Sequence, residues 1–459
     1  MNVPLAPYPR RSTSTDDGTR ILNWARNATI APSSAVVSPT TEAELRDAVT
    51  SGTGRLRLTG SRMSAGRMLE LAAAGDRLID TSDLRGLLTK DDDSATFAGG
   101  TSLQEVYSVL TSMGRMLPSS PGVIASQTLA GALATGTHGQ GLRQSSIGDA
   151  VLSVRMVLAD GSVAEFDRDH PSFPAVQLGL GVLGAVSAVT LSTVPSLVYT
   201  CVKDAVSADG LESQLVAWNR DHAMSKAWWF PDENLVHVWT AQEANAEELR
   251  EYHAGGGRLI ERETTSDAMN RTVDAALSTM RGDTGLADAD SKPYRTVNRF
   301  KDFSDVTGDV YQVFCRGIAT PQINVEIGVP LDRAGEVISV LKEWHARTNP
   351  HMHYPIILRC TGPSTAWLSP SQGQETVYFG FVVYYAEDGT LSEGGMDFLR
   401  AVEEVLATQG GRPHWGKYFE KPLYDWPALY PRWDDFRRVR DELDPTHRFA
   451  NAFADELLD

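Results

Sequence analysis

Cysteine is scarce: Cys201, Cys315 and Cys360 are the only three in 459 residues. An odd number with no CxxC spacing builds neither a disulfide framework nor a zinc site, so reduced thiols and no metal centre are expected. Basic residues are also in deficit, 42 Lys plus Arg against 59 Asp plus Glu, for a formal charge of −17. Nucleic acid and anionic membrane surfaces are therefore poor partners. No run of about 18 apolar residues occurs, which leaves no candidate membrane span. The opening "MNVPLAPYPRRSTSTDDGTR" lacks a continuous apolar stretch, and the chain ends "ADELLD" rather than in a Ser-Lys-Leu peroxisomal signal. The expected location is cytoplasmic. What is present is ordinary for a folded chain, with 42% hydrophobic and 22% charged residues.

The length exceeds that of a usual single core, so two domains with a cleft between them are expected. The polar first twenty residues read as an irregular lead-in, with the compact chain beginning near Ile21. "TTEAELRDAVTSG" predicts a helix, with a Thr cap, an acidic first turn, apolar Leu45, Ala48 and Val49, and a stop at Gly52. The alternating "RLRLTG" that follows reads as a strand. "VRMVLADGSVAEF" reads as a hairpin turning at Asp160 and Gly161. The first half is thus α+β with Gly-rich joints. Past "VTLSTVPSL", near residue 195, Gly thins out and Trp218, Trp228, Trp229 and Trp239 appear, marking a domain boundary. "ALYPRWDDFRRVRDELDPTHRFANAF" predicts a two-faced helix ended by Asp-Pro, whose packing partner the pattern leaves open.

Three segments of the first half combine glycine with small hydroxylated residues. "LTGSRMSAG" carries Thr59, Gly60, Ser61, Arg62, Met63 and Ser64; "TLAGALATGTHGQG" carries Thr128, Gly131, Gly136, Thr137, His138 and Gly139; "GLGVLGAVSAVTL" carries Val186. Small side chains let a backbone approach a ligand closely, and freed N–H groups bind phosphate or a heterocycle. Three such segments suggest a long, partly anionic ligand such as a dinucleotide. None fits GxGxxG or GxxxxGK[ST], so a Rossmann or P-loop site is disfavoured.

Together with "NWARNATIAPSSAVVSPTTEAELRDAV", "RPHWGKYF" and "LDPTHRFANAF", these segments resemble the aldonolactone and alditol oxidases, FAD enzymes of the vanillyl-alcohol-oxidase superfamily. The likeness runs in order from about residue 21 to 455 and is weakest between roughly 200 and 320. It implies an α+β, two-domain FAD-binding fold of the vanillyl-alcohol-oxidase type with a cap domain for the substrate. Residues 1–195 would form the FAD-binding domain, 196–416 the cap, and 417–459 a C-terminal segment returning to the FAD side. The loop around Gly60 would wrap the FAD pyrophosphate. Covalently flavinylated relatives carry a histidine where Met63 stands. A thioether offers no ring nitrogen for that linkage, so FAD is expected to bind non-covalently, with Met63 packed beneath the dimethylbenzene ring.

His138 would lie along the flavin in a structural role, the other readings being an attachment point or a catalytic base. Thr128 and Ser126 would neighbour the reactive edge. Lys417, in His-Trp-Gly-Lys, would stand beside flavin and substrate, stabilising negative charge on the reduced ring. His414 would pack against or hydrogen-bond the flavin, and Trp415 would contribute to the substrate side. "PIILRCTGPSTAWLSPS" resembles a Glu-x-Arg strand in which Arg359 keeps the arginine and Ile357 replaces the glutamate. A substrate hydroxyl facing isoleucine loses its partner. Tyr378, Phe379 and Phe381 read as core, and Glu326 in "INVEIGVP" has no assigned role.

The expected activity is oxidation of a CH–OH group of an alcohol, alditol, lactone or hemiacetal by hydride transfer to FAD, with Lys417 and Arg359 catalytic and oxygen as acceptor. No general base stands out. The alternatives are an oxidase of a less polar specialised metabolite and a catalytically degenerate flavin-binding protein.

Overall fold

The computed structural model describes residues 20–459 apart from 72, 121, 264–265, 267–303, 316–321, 351, 353–354, 385–390 and 392–393. The expected irregular lead-in lies outside the described residues but for Arg20.

The helix Glu42–Thr50 forms where the capping residues placed it, with Thr41 Oγ1 accepting from the Glu44 amide at 3.2 Å. Its buried stripe, Leu45, Ala48 and Val49, packs on Leu56 and Ile79. Those residues belong to a parallel sheet in the order Val36–Val37, Arg77–Asp80, Leu56–Thr59. A second, antiparallel sheet runs Val163–Asp167, Val151–Val157, Ala185–Ser192, Ser94–Ala98, Leu87–Lys90. Its first two strands are the expected hairpin. Gly161 there takes φ +82°, a left-handed conformation that glycine adopts without strain.

Beyond residue 195 the described residues build a nine-stranded antiparallel sheet. Its order is Ile260–Arg262, Asp305–Asp309, Val198–Ser207, Leu235–Glu243, Met224–Phe230, Ile356–Thr361, Thr376–Tyr384, Gln322–Pro330, Arg412–Pro413. Alternation along each strand gives the sheet two unlike faces. Helices Leu211–Asp221, Ala334–Thr348 and Gly395–Ala407 cover one face, where Phe381 meets Phe398 and Lys342 lies over Trp229. The opposite face turns toward the first half of the chain. There the His138 ring stacks on Tyr378 at 3.8 Å. The glycine-rich segment is tied to the same sheet, since the Gly141 amide donates to the Cys360 carbonyl and the Gly362 amide to the Gln144 carbonyl, each at 2.7 Å.

The last forty residues make contact with the parallel sheet. The Leu56 amide donates to the Arg448 carbonyl at 2.7 Å, and Asn451 Nδ2 donates to the Arg67 and Glu70 carbonyls. Phe449 is wholly buried among Leu45, Val49 and Leu56. Truncating it leaves a cavity that the rigid sheet cannot close. Phe449→Ala is expected to cost about 3–5 kcal/mol, to be read as a lowered thermal midpoint with earlier release of bound ligand.

Candidate active site

Between the parallel sheet and the glycine-rich helix Leu129–Thr135 lies a cavity of about 1020 Å³, partly open to solvent. Thr59, Gly60, Ser61, Arg62, Met63, Ser64, Thr128, Gly131 and Val186 line it. The backbone here is set for close approach. A Cβ on Gly60 would fall 2.2 Å from Thr128 Oγ1, the cap of that helix. Arg62 takes φ +57°, and its guanidinium is held by Asp80 at 3.0 Å in a buried pair. The loop carbonyls of Arg62, Ser64 and Ala65 are taken by the Trp24 amide, Asn23 and Asn27. Among the described hydrogen bonds, the amides of Ser61, Met63 and Ser64 have no acceptor in the chain, and the buried Thr59 Oγ1 has no partner. Unpaired donors in a cavity wall are what a phosphate-bearing ligand satisfies. Arg57 adds positive charge behind them. It donates to the carbonyls of Gly181, Leu180 and Phe449, and burial lowers its pKa only to about 10.

The expected residues do not all serve the cavity. The Ser61 hydroxyl is spent on the Ser126 carbonyl, leaving its amide for a ligand. Met63 does line the wall, its sulfur 4.0 Å from Ser126 Oγ. Gly136, Thr137, His138, Gly139 and His414 are not part of the lining. Gly136 ends the helix in the left-handed conformation, Thr137 Oγ1 donates to Gln127 Oε1 at 2.6 Å, and Gly139 lies against the Ser120 carbonyl.

His138 and His414 belong instead to a buried polar cluster on the face of the large sheet that turns toward the first half of the chain. The sheet register explains it. Glu326 and Ile357 both lie opposite Gly380, and Arg359 lies opposite Tyr378, so all share one face. With no side chain at Gly380 between them, Glu326 and Arg359 reach across a strand and pair through Oε1 and Nη2. His138 Nε2 stands 3.6 Å from the same carboxylate oxygen. The His-Trp-Gly-Lys turn closes the cluster, with the His414 amide donating to the Glu326 carbonyl and the Lys417 amide to the His414 carbonyl, each at 2.9 Å. The Gly416 amide donates to His414 Nδ1, so the other ring nitrogen of that neutral imidazole carries its proton. Trp415 is buried, donating Nε1–H to the Leu368 carbonyl and stacking on Trp426, so it braces the turn from behind rather than lining a substrate site. The turn meets the cavity loop directly, since the Ala65 amide donates to the Gly416 carbonyl at 3.0 Å.

Charge in this cluster is strongly ordered. Burial opposes ionising Glu326, but Arg359, His138 and Lys417 outweigh it and hold the carboxyl far below its ordinary value. Burial, reinforced by Arg359, pushes His138 well down, and burial brings His414 to about 4. Burial also lowers Lys417, with Glu326 opposing. Tyr378 is raised to about 12 by burial and stays a neutral phenol. Glu326 is the member whose place the sequence left unassigned, and Tyr378, expected as core, is buried but stacks on His138 within the cluster. The signal was a lone carboxylate in a largely apolar strand, on the face it shares with Gln322 and Asn324.

Comparison with known proteins now decides the family. The D-arabinono-1,4-lactone oxidase profile matches residues 189–457, and an FAD-binding-domain profile matches residues 33–167. The chain belongs to the D-arabinono-1,4-lactone oxidase family. It is similar to the L-gulono-1,4-lactone dehydrogenase of Mycobacterium tuberculosis, 27% identical over 95% of this chain and 98% of that one. It is equally similar to the alditol oxidase of a Streptomyces species, 27% identical over 96% and 99% of the two chains. A solved cholesterol oxidase of Brevibacterium sterolicum shares the fold at 16% identity, with a TM-score of 0.73 over 96% of this chain and 97% of that one. The chain is an FAD-dependent oxidoreductase acting on CH–OH groups. The unpaired amides and the unpaired Thr59 hydroxyl fit that cofactor.

Two outcomes follow from this geometry. Gly60→Ala places a methyl group inside the van der Waals radius of Thr128, and purified protein should retain less than a tenth of its FAD by absorbance. The second concerns acid. His414 is neutral when folded, with a pKa near 4, against about 6.5 unfolded. The unfolded chain therefore binds the extra proton between those values, so stability is full above about pH 6.5 and falls toward pH 4. The loss by pH 4.5 should be about 2–3 kcal/mol, seen as a fall in melting temperature that His414→Asn reduces.

Proposed function

We propose that this oxidase family member removes a hydride from the carbinol carbon of a small polar substrate, a lactone or alditol, using FAD that is not covalently bound. Oxygen is the expected electron acceptor, as in the relatives named oxidases. The observation that carries the reading is the buried Glu326–Arg359–His414–Lys417 cluster joined to the cavity loop through Ala65 and Gly416. In the division we favour, residues 1–195 and 417–459 hold the cofactor and 196–416 cap it. The contacts of Arg448 and Asn451 with the first half support that division.

Bound FAD supplies a two-electron acceptor. The chain's part is binding, orientation and charge. The amides of Ser61, Met63 and Ser64 hold the phosphates, and Met63 packs where a histidine would otherwise form a covalent link. Lys417 offers a cation where negative charge builds up, worth several kcal/mol in a water-poor site. Arg359, fixed by Glu326, donates hydrogen bonds to the substrate oxygen.

One observation favours a second reading. Ile357 lies opposite Trp228, so the wall beside Arg359 is apolar where a polyol would want an acceptor. A less polar alcohol suits that wall better. Anaerobic mixing with xylitol, L-gulono-1,4-lactone and a set of apolar secondary alcohols distinguishes the two. Bleaching of the flavin by the first pair supports the polar reading; bleaching by the apolar set alone overturns it. Acid precipitation should leave the yellow colour in the supernatant, and colour in the pellet would refute non-covalent binding.

A further inference from the structure

We propose that His138 is the proton acceptor of the reaction, taking the hydroxyl proton of the carbinol on Nε2. The proposal rests on the CH–OH oxidation assigned above and takes up the base reading that the sequence left open for His138.

The geometry fixes the tautomer. His138 Nδ1 lies 3.1 Å from the Gly139 carbonyl oxygen, which only accepts, so Nδ1 carries the proton and Nε2 presents a lone pair. That Nε2 is buried and has no hydrogen-bond partner. Glu326 Oε1 stands 3.6 Å from it and is another acceptor, so the two cannot satisfy one another without a proton. A buried lone pair left unpaired costs free energy unless a ligand completes it. A substrate hydroxyl is the matching donor.

The ring is held in place. It stacks on Tyr378 with the planes 19° apart, and His414 flanks it at 5.4 Å. Four elements face it. Tyr378 comes from the strand Thr376–Tyr384, Glu326 from Gln322–Pro330, Arg359 from Ile356–Thr361, and His414 with Lys417 from the turn after Arg412–Pro413. Before reaction the site disfavours a charged imidazole, through burial and Arg359, so the lone pair is free at neutral pH. After proton transfer the imidazolium faces the Glu326 carboxylate, which stabilises the product charge. The carboxylate is itself the poorer base, held low by three cationic or polar neighbours. His138 and Glu326 thus divide the work, one accepting the proton and the other compensating its charge.

The balance is complete. The O–H bond breaks with its proton forming the Nε2–H bond. The C–H bond breaks with both electrons leaving as hydride to FAD, and the carbinol becomes C=O. The imidazolium later loses its proton to solvent.

Two measurements test this on the holoenzyme. Long-range ¹⁵N–¹H spectra of histidine-labelled wild type, assigned against His138→Gln, should show protonated Nδ1 and bare Nε2 at pH 7; an Nε2–H tautomer overturns the proposal whatever the substrate. Anaerobic stopped-flow flavin reduction, with xylitol or L-gulono-1,4-lactone, should slow by about 10²–10⁴-fold in His138→Gln. The apparent substrate dissociation constant and the FAD dissociation constant should stay within a few-fold, and added imidazole should restore part of the rate in His138→Ala. Reduction within threefold of wild type overturns the role of His138. Failure of every alcohol to reduce wild type overturns the substrate reading instead, and leaves the tautomer measurement to decide for or against His138.

Discussion

The buried polar cluster on the large sheet depends on one ion pair formed across a missing side chain. Glu326 and Arg359 lie two strands apart in the large sheet, a span of about 10 Å between backbones, with Gly380 between them. A buried carboxylate is costly alone, and a buried guanidinium likewise. Joined, they make a fixed dipole whose carboxylate end is held among Arg359, His138 and Lys417. Removing either partner would leave an uncompensated charge in the interior and unsettle the whole cluster.

The cavity loop follows a different rule. It is built from backbone rather than charge, and the chain satisfies the loop's carbonyls from outside while leaving its amides open. Holding a strained loop in that state requires support. Arg62 sits in a left-handed conformation braced by Asp80, and the C-terminal residues close the sheet beneath it through Arg448 and Phe449. The end of the chain is therefore a structural condition of the cavity near its beginning.

Much of this was legible in the sequence. The helix Glu42–Thr50, the hairpin at Gly161 and the glycine-rich cavity wall are local features, and local chemistry encodes them. Arg57 in "RLRLTG" is wholly buried, a place that alternation does not reveal, because three backbone carbonyls, one of them from the C-terminal Phe449, accept from it. The motif suggests Trp415 for the substrate side, yet its side chain packs into an aromatic cluster behind the turn. Glu326 had no visible role because its meaning lies in register. Only the pairing of Gln322–Pro330, Thr376–Tyr384 and Ile356–Thr361 shows that it stands on the row of Ile357, within reach of Arg359. Periodicity reports which face a residue shares with its chain neighbours, not which residues of distant strands it will meet.

The two unlike faces of the large sheet carry a consequence for how such an enzyme can diverge. Along each strand, residues alternate between a face locked under three helices and a face turned to the chemistry. Substitution at Ile357 does not enter the packing of Phe379, Phe381 and Leu358, which point to the other face. Reaction and folding are thus written on alternate letters of the same strands, so a lineage can revise what it oxidises while leaving untouched the sentence that tells the chain how to fold.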